Sequence, residues 1–440
     1  MDLQTINLMA LEKIGEGFQA EVFSVSTDIM SAYIDESRLS NVEDKSELGL
    51  AIRVIKDNKM GSASCTLNHE GDILECVRRA MKASQLSPTD DRIKGFVDPQ
   101  KSLIRNLSNY DQRIHNLEAS GLAEITLDLI DNCKAKIPRA MLRVAKVRTA
   151  ICNNSGLNVV QKCTKVYGHF TSMIEVPNPG EGTESIHSTH LAIDSDYMAE
   201  TLYHKAKRSA EASTFKGRKN LSVILPPSEL GDMLLSSAGS ALNGENVLNG
   251  RSRWANSVGE AIASDNLTIL DDPTRPAPLC ARFDDEGSPC YTKTLVENGI
   301  LKMHLYDNYN GTSTGNGLRR SAIDFQDSFC SPVSIKPMNL TVVPGRISEA
   351  EIIKETKCGI IVEKFAWPEA DPFTGRFALE VRCGLMVEAG SIIGTIKNAL
   401  LTGNMFDSLF RVNFISDTLV NTGNSTIPTM SFEGMELIGN

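Results

Sequence analysis

Residues 282–302 read Arg282-Phe283-Asp284-Asp285-Glu286-Gly287-Ser288-Pro289, then Cys290–Thr294, then Leu295-Val296-Glu297-Asn298-Gly299-Ile300-Leu301-Lys302. Three adjacent carboxylates before a glycine form an acidic turn, and Asn298-Gly299 marks another, because Asn and Gly tolerate the backbone angles that tight turns need. The same punctuation recurs on either side, at Asp272-Pro273, Asn310-Gly311, Pro344-Gly345, Ala389-Gly390 and Gly403-Asn404. Short apolar runs between frequent turn signals read as strands. Everything after Asn243-Gly244 is therefore expected to be β-rich. The cluster Asp284, Asp285, Glu286 has two readings. It binds a cation or a substrate amine, or it is a structural turn whose carboxylates accept backbone N–H groups, which is the commoner chemistry.

Upstream, Pro226-Pro227 stops a strand over Leu221–Leu225, and Ser228–Leu242 reads as a helix with Leu230, Leu234, Ala238 and Ala241–Leu242 on one face. Lys216-Gly217-Arg218 marks a boundary. Before it, Asp111–Lys136 reads as one long amphipathic helix. Leu142–Cys152 and residues 159–176 read as a hairpin of long strands, 177–184 as a loop, His190–Asp194 as a strand and Tyr197–Ser213 as a helix. The first hundred residues suggest a helix over Thr5–Ile14, strands over Glu21–Ser26, Met30–Glu36, Leu48–Ile55 and Gly61–Leu67, and a helix over Ile73–Ala83. Pro88, Gly95 and Pro99 lie in a second boundary region. The expected class is α+β: an N-terminal mixed α/β region over 1–86, a central helix and long-strand domain over 87–216, and a large β-rich C-terminal domain over 217–440.

The 440 residues are 41% apolar and 23% charged, which places the chain among globular proteins. A net charge of −10 argues against a phosphate-gripping surface, so nucleic acid is not an expected partner. The ten cysteines include no CxxC pair. No charged-then-apolar leader opens the sequence, and no apolar run reaches the roughly 18 residues of a spanning helix. A soluble cytoplasmic protein with reduced thiols and no membrane contact is expected.

Two motifs mislead. Ile14-Gly15-Glu16-Gly17-Phe18 followed by Ala51-Ile52-Arg53-Val54-Ile55-Lys56 imitates a kinase glycine loop and its lysine strand, but no His-Arg-Asp exists and Asp324-Phe325-Gln326 lacks the metal-loop glycine. His187 and His190 look like metal ligands, yet residues three apart on a strand point to opposite faces, so they could share a metal only if the segment is a loop. His69-Glu70 has Ile73 and Leu74 where a zinc helix needs its second histidine, so it reads as a helix start. Only His304 lies beyond His204, which leaves the β-rich region without a histidine-based zinc set.

Several blocks, in order, resemble the TldD/PmbA family (PmbA is also called TldE). They are the acidic turn with Gly287, the Leu295–Lys302 block with Asn298 and Gly299, and Ser313-Thr314-Gly315-Asn316-Gly317-Leu318-Arg319. Thr374–Phe377, Gly384–Gly390 with Glu388 and Gly390, Leu401-Thr402-Gly403-Asn404, Pro428 and Phe432-Glu433-Gly434 follow, and Gly49–Gly61 is similar to an upstream family strand. The resemblance implies the family's C-terminal fold and a choice of branch. TldD-type subunits carry an HExxxH helix and a distant cysteine for zinc, and PmbA-type subunits lack these and pair with them. The implied zinc helix falls near Ser228–Leu242, which has no histidine, and the late ligand region near Asn421–Asn424 has no cysteine.

The resemblance therefore implies a non-catalytic PmbA/TldE-like subunit with no catalytic or metal-binding residue of its own. Zinc is expected in a TldD-like partner, in a heterodimer or else a homodimer, acting on unfolded peptide. The alternatives are a self-associating binding protein and an independent peptidase with an unrecognised site.

Overall fold

β1 (Gln19–Asp35) organises the N-terminal half, and only its two end residues are exposed. A strand covered on both faces loses the apolar–polar alternation of a half-buried one. That is why the sequence reads as two runs, Glu21–Ser26 and Met30–Glu36, where one strand exists. The computed structural model of the chain describes residues 2–99, 107–175, 178–320 and 329–439. β2 (Arg38–Lys56) pairs with β1 along its whole length, and β4 (Lys136–Asn153) pairs with its other edge. β3 (Lys59–Thr66), β5 (Asn158–Ile174) and β6 (Gly180–Ser188) complete an antiparallel sheet in the order β3-β2-β1-β4-β5-β6. The β1–β4 pairing crosses the expected boundary at 86/87, so both sides of it share one sheet.

Helices cover one face of this sheet. α1 (Leu3–Glu12) and α2 (Glu70–Leu86) pack on Val22, Ile52 and Val54. His69 does start α2, where it forms a reciprocal capping box with Asp72. The expected long helix over 111–136 is instead α3 (Gln112–His115) and α4 (Ala119–Asn132), interrupted where Glu118 is extended. α4 and α5 (Ser195–Ala210) cover Met30, Ala32 and Leu142.

Residues 180–184 belong to β6 rather than to a loop. A Cβ on Gly180 would sit 2.1 Å from the Ala210 backbone nitrogen, so these glycines mark the close approach of α5 and not a turn. The strand expected at His190–Asp194 is absent. Ser188 Oγ accepts the His190 N–H at 3.0 Å and Asp111 Oδ2 accepts the Leu191 N–H at 2.8 Å, so side chains take the place of ladder partners.

The other face carries the odd-numbered residues of β1. Phe23, Val25 and Ile29 pack with Ala51, Val147 and Ile151 against Phe283 and Phe329 of the C-terminal half. The sheet is thus sandwiched between helices and the β-rich part of the chain.

After β7 (Ser213–Thr214) and β8 (Gly217–Leu225) comes α6 (Pro227–Leu234), prolonged by a wider π-helical turn, Leu235–Gly239, and by α7 (Ser240–Leu242), then α8 (Gly244–Leu248). The short strands that follow are β9 (Ile269–Asp271), β10 (Lys293–Glu297), β11 (Ile300–Leu301), β12 (Gly317–Leu318), β13 (Ser334–Ile335) and β14 (Leu340–Val342). After α9 (Glu349–Glu355) run β15 (Cys358–Phe365), β16 (Arg376–Glu388), β17 (Ser391–Lys397) and β18 (Ala399–Asn404). α10 (Met405–Leu409), β19 (Val412–Asn421) and β20 (Ser425–Gly439) close the chain. Among the described residues a 12-stranded sheet runs β11-β10-β9-β14-β20-β8-β15-β16-β17-β7, with β18 and β19 joined to it. α6 and its extension pack on β20 within the largest apolar cluster, with Leu230, Met233 and Leu234 fully buried. The architecture is mixed α/β with much strand, ending in a large β-rich region.

Candidate functional site

The acidic turn lies where the sheet meets the β-rich half. Asp284 and Asp285 are fully buried and Glu286 is 1% exposed. Gly287 makes the turn at φ +88°, and a Cβ there would strike Leu157 of the β4–β5 hairpin at 2.3 Å. Asp284 Oδ1 accepts the N–H groups of Glu286 and Ser288 at 3.0 and 2.8 Å, and Oδ2 accepts that of Gly317 at 2.9 Å. Burial and the neighbouring Glu286 still push the Asp284 carboxyl well above the usual carboxylate range, against those three donors.

Asp285 Oδ2 accepts the Arg319 N–H at 2.7 Å, and the Arg320 guanidinium lies 2.9 Å from Oδ1. Glu286 Oε2 accepts the Asn308 N–H at 2.7 Å, and Oε1 meets Arg53 Nη2 at 3.0 Å. Arg53 also donates two hydrogen bonds to Glu21, at 2.9 and 2.8 Å. Although burial opposes it, Glu21 and Glu286 raise the Arg53 guanidinium above its ordinary value. Burial and the nearby Arg53 instead lower Arg319 to about 10, although Glu21 acts to raise it; its Nη2 stands 3.7 Å from Glu21, too far for a hydrogen bond.

A second buried pair lies behind the turn. Lys293 Nζ is 3.0 Å from Asp271 Oδ2, with both side chains inaccessible. Asp271 Oδ1 also accepts the Met338 and Asn339 N–H groups, and Asn316 donates to Oδ2 at 2.7 Å. Burial lowers Lys165, on β5 near Arg320 and Asp285, to about 8. Glu21, Asp271, Asp285 and Glu286 thus face Arg53, Lys293, Arg319 and Arg320 in one seam. A buried charge persists only when paired and hydrogen-bonded, and this arrangement locks two parts of the fold together.

The remaining candidates are scattered. Gly315 and Asn316 join the seam. Asn298 and Gly299 (φ 49° and 77°) turn β10 into β11, and Gly390, after Glu388 at the end of β16, turns β16 into β17. Gly403 lies on β18 against the Phe377 ring, and Asn404 caps α10 by accepting the Phe406 and Asp407 N–H groups. These residues do not converge on a cleft. Glu21 and Arg53 escaped the site reading, although the signal was present: each is the one charge in its apolar run, Glu21–Ser26 or Leu48–Ile55. Asp324-Phe325-Gln326 lies outside the described residues.

The two regions where zinc ligands are implied do meet. A Cβ on Gly231 of α6 would sit 2.6 Å from Thr422 Oγ1 in the 421–424 turn. Their side chains do not fit a tetrahedral zinc, which wants imidazole, thiolate or free carboxylate. Ser237 Oγ donates to the Met233 carbonyl at 2.5 Å, Ser236 Oγ accepts the Ala370 N–H at 3.2 Å, and Thr422 Oγ1 and Ser425 Oγ lie 2.6 Å apart. The helix's buried carboxylate, Glu229, accepts the Phe365 N–H at 2.8 Å and has Lys364 at 3.8 Å, while burial pushes it up. Among the described residues no three His, Cys, Asp or Glu side chains are grouped to hold a metal. His187 packs on Tyr167 at 5.3 Å between ring centroids, and His190 bonds to its neighbour Thr189.

The family model of the PmbA/TldA metallopeptidase C-terminal domain matches residues 218–439, and that of domain 1 matches residues 20–84. An uncharacterized protein of Methanocaldococcus jannaschii is 28% identical, covering 98% of this chain and 99% of its own length. A metalloprotease PmbA homolog of Buchnera aphidicola is 24% identical over 96% of this chain and 93% of its own. The fold is similar to the crystal structure of TldE from Thermococcus kodakarensis, with a TM-score of 0.88, 21% identity and coverage of 99% and 100%. It is also similar to a Thermotoga maritima protein described as a putative modulator of DNA gyrase, with a TM-score of 0.86, 20% identity and 98% coverage of both chains.

Proposed function

The chain belongs to the PmbA/TldA metallopeptidase family, and from that premise we propose that it is a subunit without a hydrolytic centre of its own. It pairs with a zinc-bearing TldD-like chain and helps enclose a space that admits unfolded peptide. The supporting observation is the meeting of α6 with the 421–424 turn, where Ser236, Ser237 and Thr422 are already tied by hydrogen bonds and Glu229 faces Lys364. Hydroxyls bonded in this way neither ligate zinc nor activate water. The role left to this chain is architectural: to position extended peptide, whose backbone can be held by strand addition without sequence readout. The partner's metal supplies the hydrolysis. The reading places the complex in the cytoplasm. Among the described residues, no helix is long and apolar enough to cross a membrane.

The test uses the purified chain alone and mixed with a TldD homologue. Gel filtration, zinc by mass spectrometry and casein cleavage with and without chelator are measured. The expected outcome is co-elution, zinc only in the mixture and cleavage only by the mixture. Self-association without a complex favours a stand-alone binding protein. Chelator-sensitive cleavage by the chain alone favours an independent peptidase, and either result overturns the proposal.

A further inference from the structure

A cavity of about 270 Å³ opens beside the acidic turn, with Arg282, Tyr291, Thr274, Thr292, Pro273 and Leu107 in its lining. Arg282 is fixed from both sides along its backbone. Its N–H donates to Gln161 Oε1 at 3.0 Å, and its carbonyl accepts the Cys290 N–H at 3.0 Å. Its guanidinium is in the opposite condition. Nε is buried without a hydrogen-bond partner, and among the described residues no carboxylate forms an ion pair with Arg282. Arg53, Lys293, Arg319 and Arg320, by contrast, each face a carboxylate.

Asp272, next in sequence to Pro273 of the lining, is already engaged. Asp272 Oδ1 accepts the hydroxyls of Thr274 and Thr292 at 2.5 and 3.0 Å, and Oδ2 lies 3.3 Å from Arg275. Tyr291, 48% exposed, forms a flat wall, with Lys293 Nζ 4.7 Å from its ring centroid. Pro273 and Leu107 supply apolar surface. A planar cationic fork beside an apolar wall matches a carboxylate carried on a small apolar group, because a guanidinium binds carboxylate through two parallel hydrogen bonds. The volume falls just below the range of drug-sized pockets, which suits a single residue or acid rather than a larger ligand.

We propose that this cavity binds a carboxylate on a small apolar body, with Arg282 as its cationic partner and Tyr291 as its wall. The carboxylate comes from a peptide C-terminus or from an acidic side chain. The site needs this chain alone, so it stands or falls separately from the pairing proposed above.

The experiment is calorimetric titration of the full chain with three probes: acetyl-Ala-Ala-Leu as the free acid, its carboxamide, and acetyl-Ala-Glu-Ala carboxamide. A C-terminal site binds the first at least about tenfold more tightly than the second, a difference of about 1.4 kcal/mol. A side-chain site prefers the third to the second instead. Either preference is expected to vanish in Arg282→Gln and to weaken in Arg282→Lys, which keeps the charge but not the fork. Thermal midpoints identify any variant that fails to fold, and Arg282→Lys then carries the test. Equal binding of acid and neutral probes, no binding of any probe, or a preference that survives Arg282 replacement overturns the proposal.

Discussion

Glu21 and Arg53 are direct cross-strand partners in the β1–β2 register, and Arg53 reaches on from that pair to Glu286 in the acidic turn. One guanidinium therefore joins the N-terminal sheet to the β-rich half. Arg53→Ala would leave two buried carboxylates without their cation. Breaking a buried pair in this way costs about 3–5 kcal/mol. The urea midpoint is expected to fall accordingly, while Glu286→Gln, which can still accept the Asn308 N–H, costs less.

His187 sets an acid-side dependence. Burial, and then His169, lower its pKa from 6.5 to about 4, and its Nδ1 is buried without a partner. As pH falls through 6.5 the unfolded chain gains a proton that the folded chain refuses, so this stability is lost progressively down to about pH 4. Urea midpoints from pH 7.5 to 4.5 are expected to fall less steeply in His187→Phe than in wild type. An unchanged slope would refute the assignment.

Gly180 and Gly394 make a matched pair on strands. A Cβ at Gly180 meets the Ala210 nitrogen at 2.1 Å and the Ala206 carbonyl at 2.4 Å, whereas at Gly394 nothing lies within 4 Å. Gly180→Ala must displace helix backbone, with a destabilisation of about 1–3 kcal/mol or more. Gly394→Ala is expected to stay within about 0.5 kcal/mol of wild type. Thermal midpoints compare them.

The thiols should react in a definite order. Cys330 is exposed, whereas Cys76, Cys152, Cys280 and Cys383 are buried. Burial pushes Cys152 and Cys383 up to about 12. Thiolate, not thiol, is the nucleophile. Timed iodoacetamide labelling of the native chain, followed by peptide mass mapping, is expected to modify Cys330 first and these four buried thiols last.

Turn chemistry was the most legible layer of the sequence. Asn298-Gly299 and Ala389-Gly390 sit at tight hairpin turns with positive φ because few other residues tolerate those angles. The 142–152 and 159–176 hairpin and the helix after Pro226-Pro227 were also readable, since pattern and punctuation agree there. What misled was context. Gly180 and Gly182 have the composition of a loop, and only the presence of α5 shows that they allow close packing. The acidic turn was visible as a cluster, but not its partner Arg53, because pairing across 233 residues leaves no local trace. The charges inside β1 and β2 are the one sequence hint that something polar had to meet them.

The sandwiched sheet makes neither half a portable module. Cut away from the β-rich half, strands β1 and β2 would present Phe23, Val25 and an ion pair to water on a face with no cover. The other half would keep Glu286 without Arg53, its guanidinium partner. Fusions, truncations or shuffled chimaeras that divide this chain between the two should yield pieces that aggregate rather than fold, so the two halves have to be inherited together.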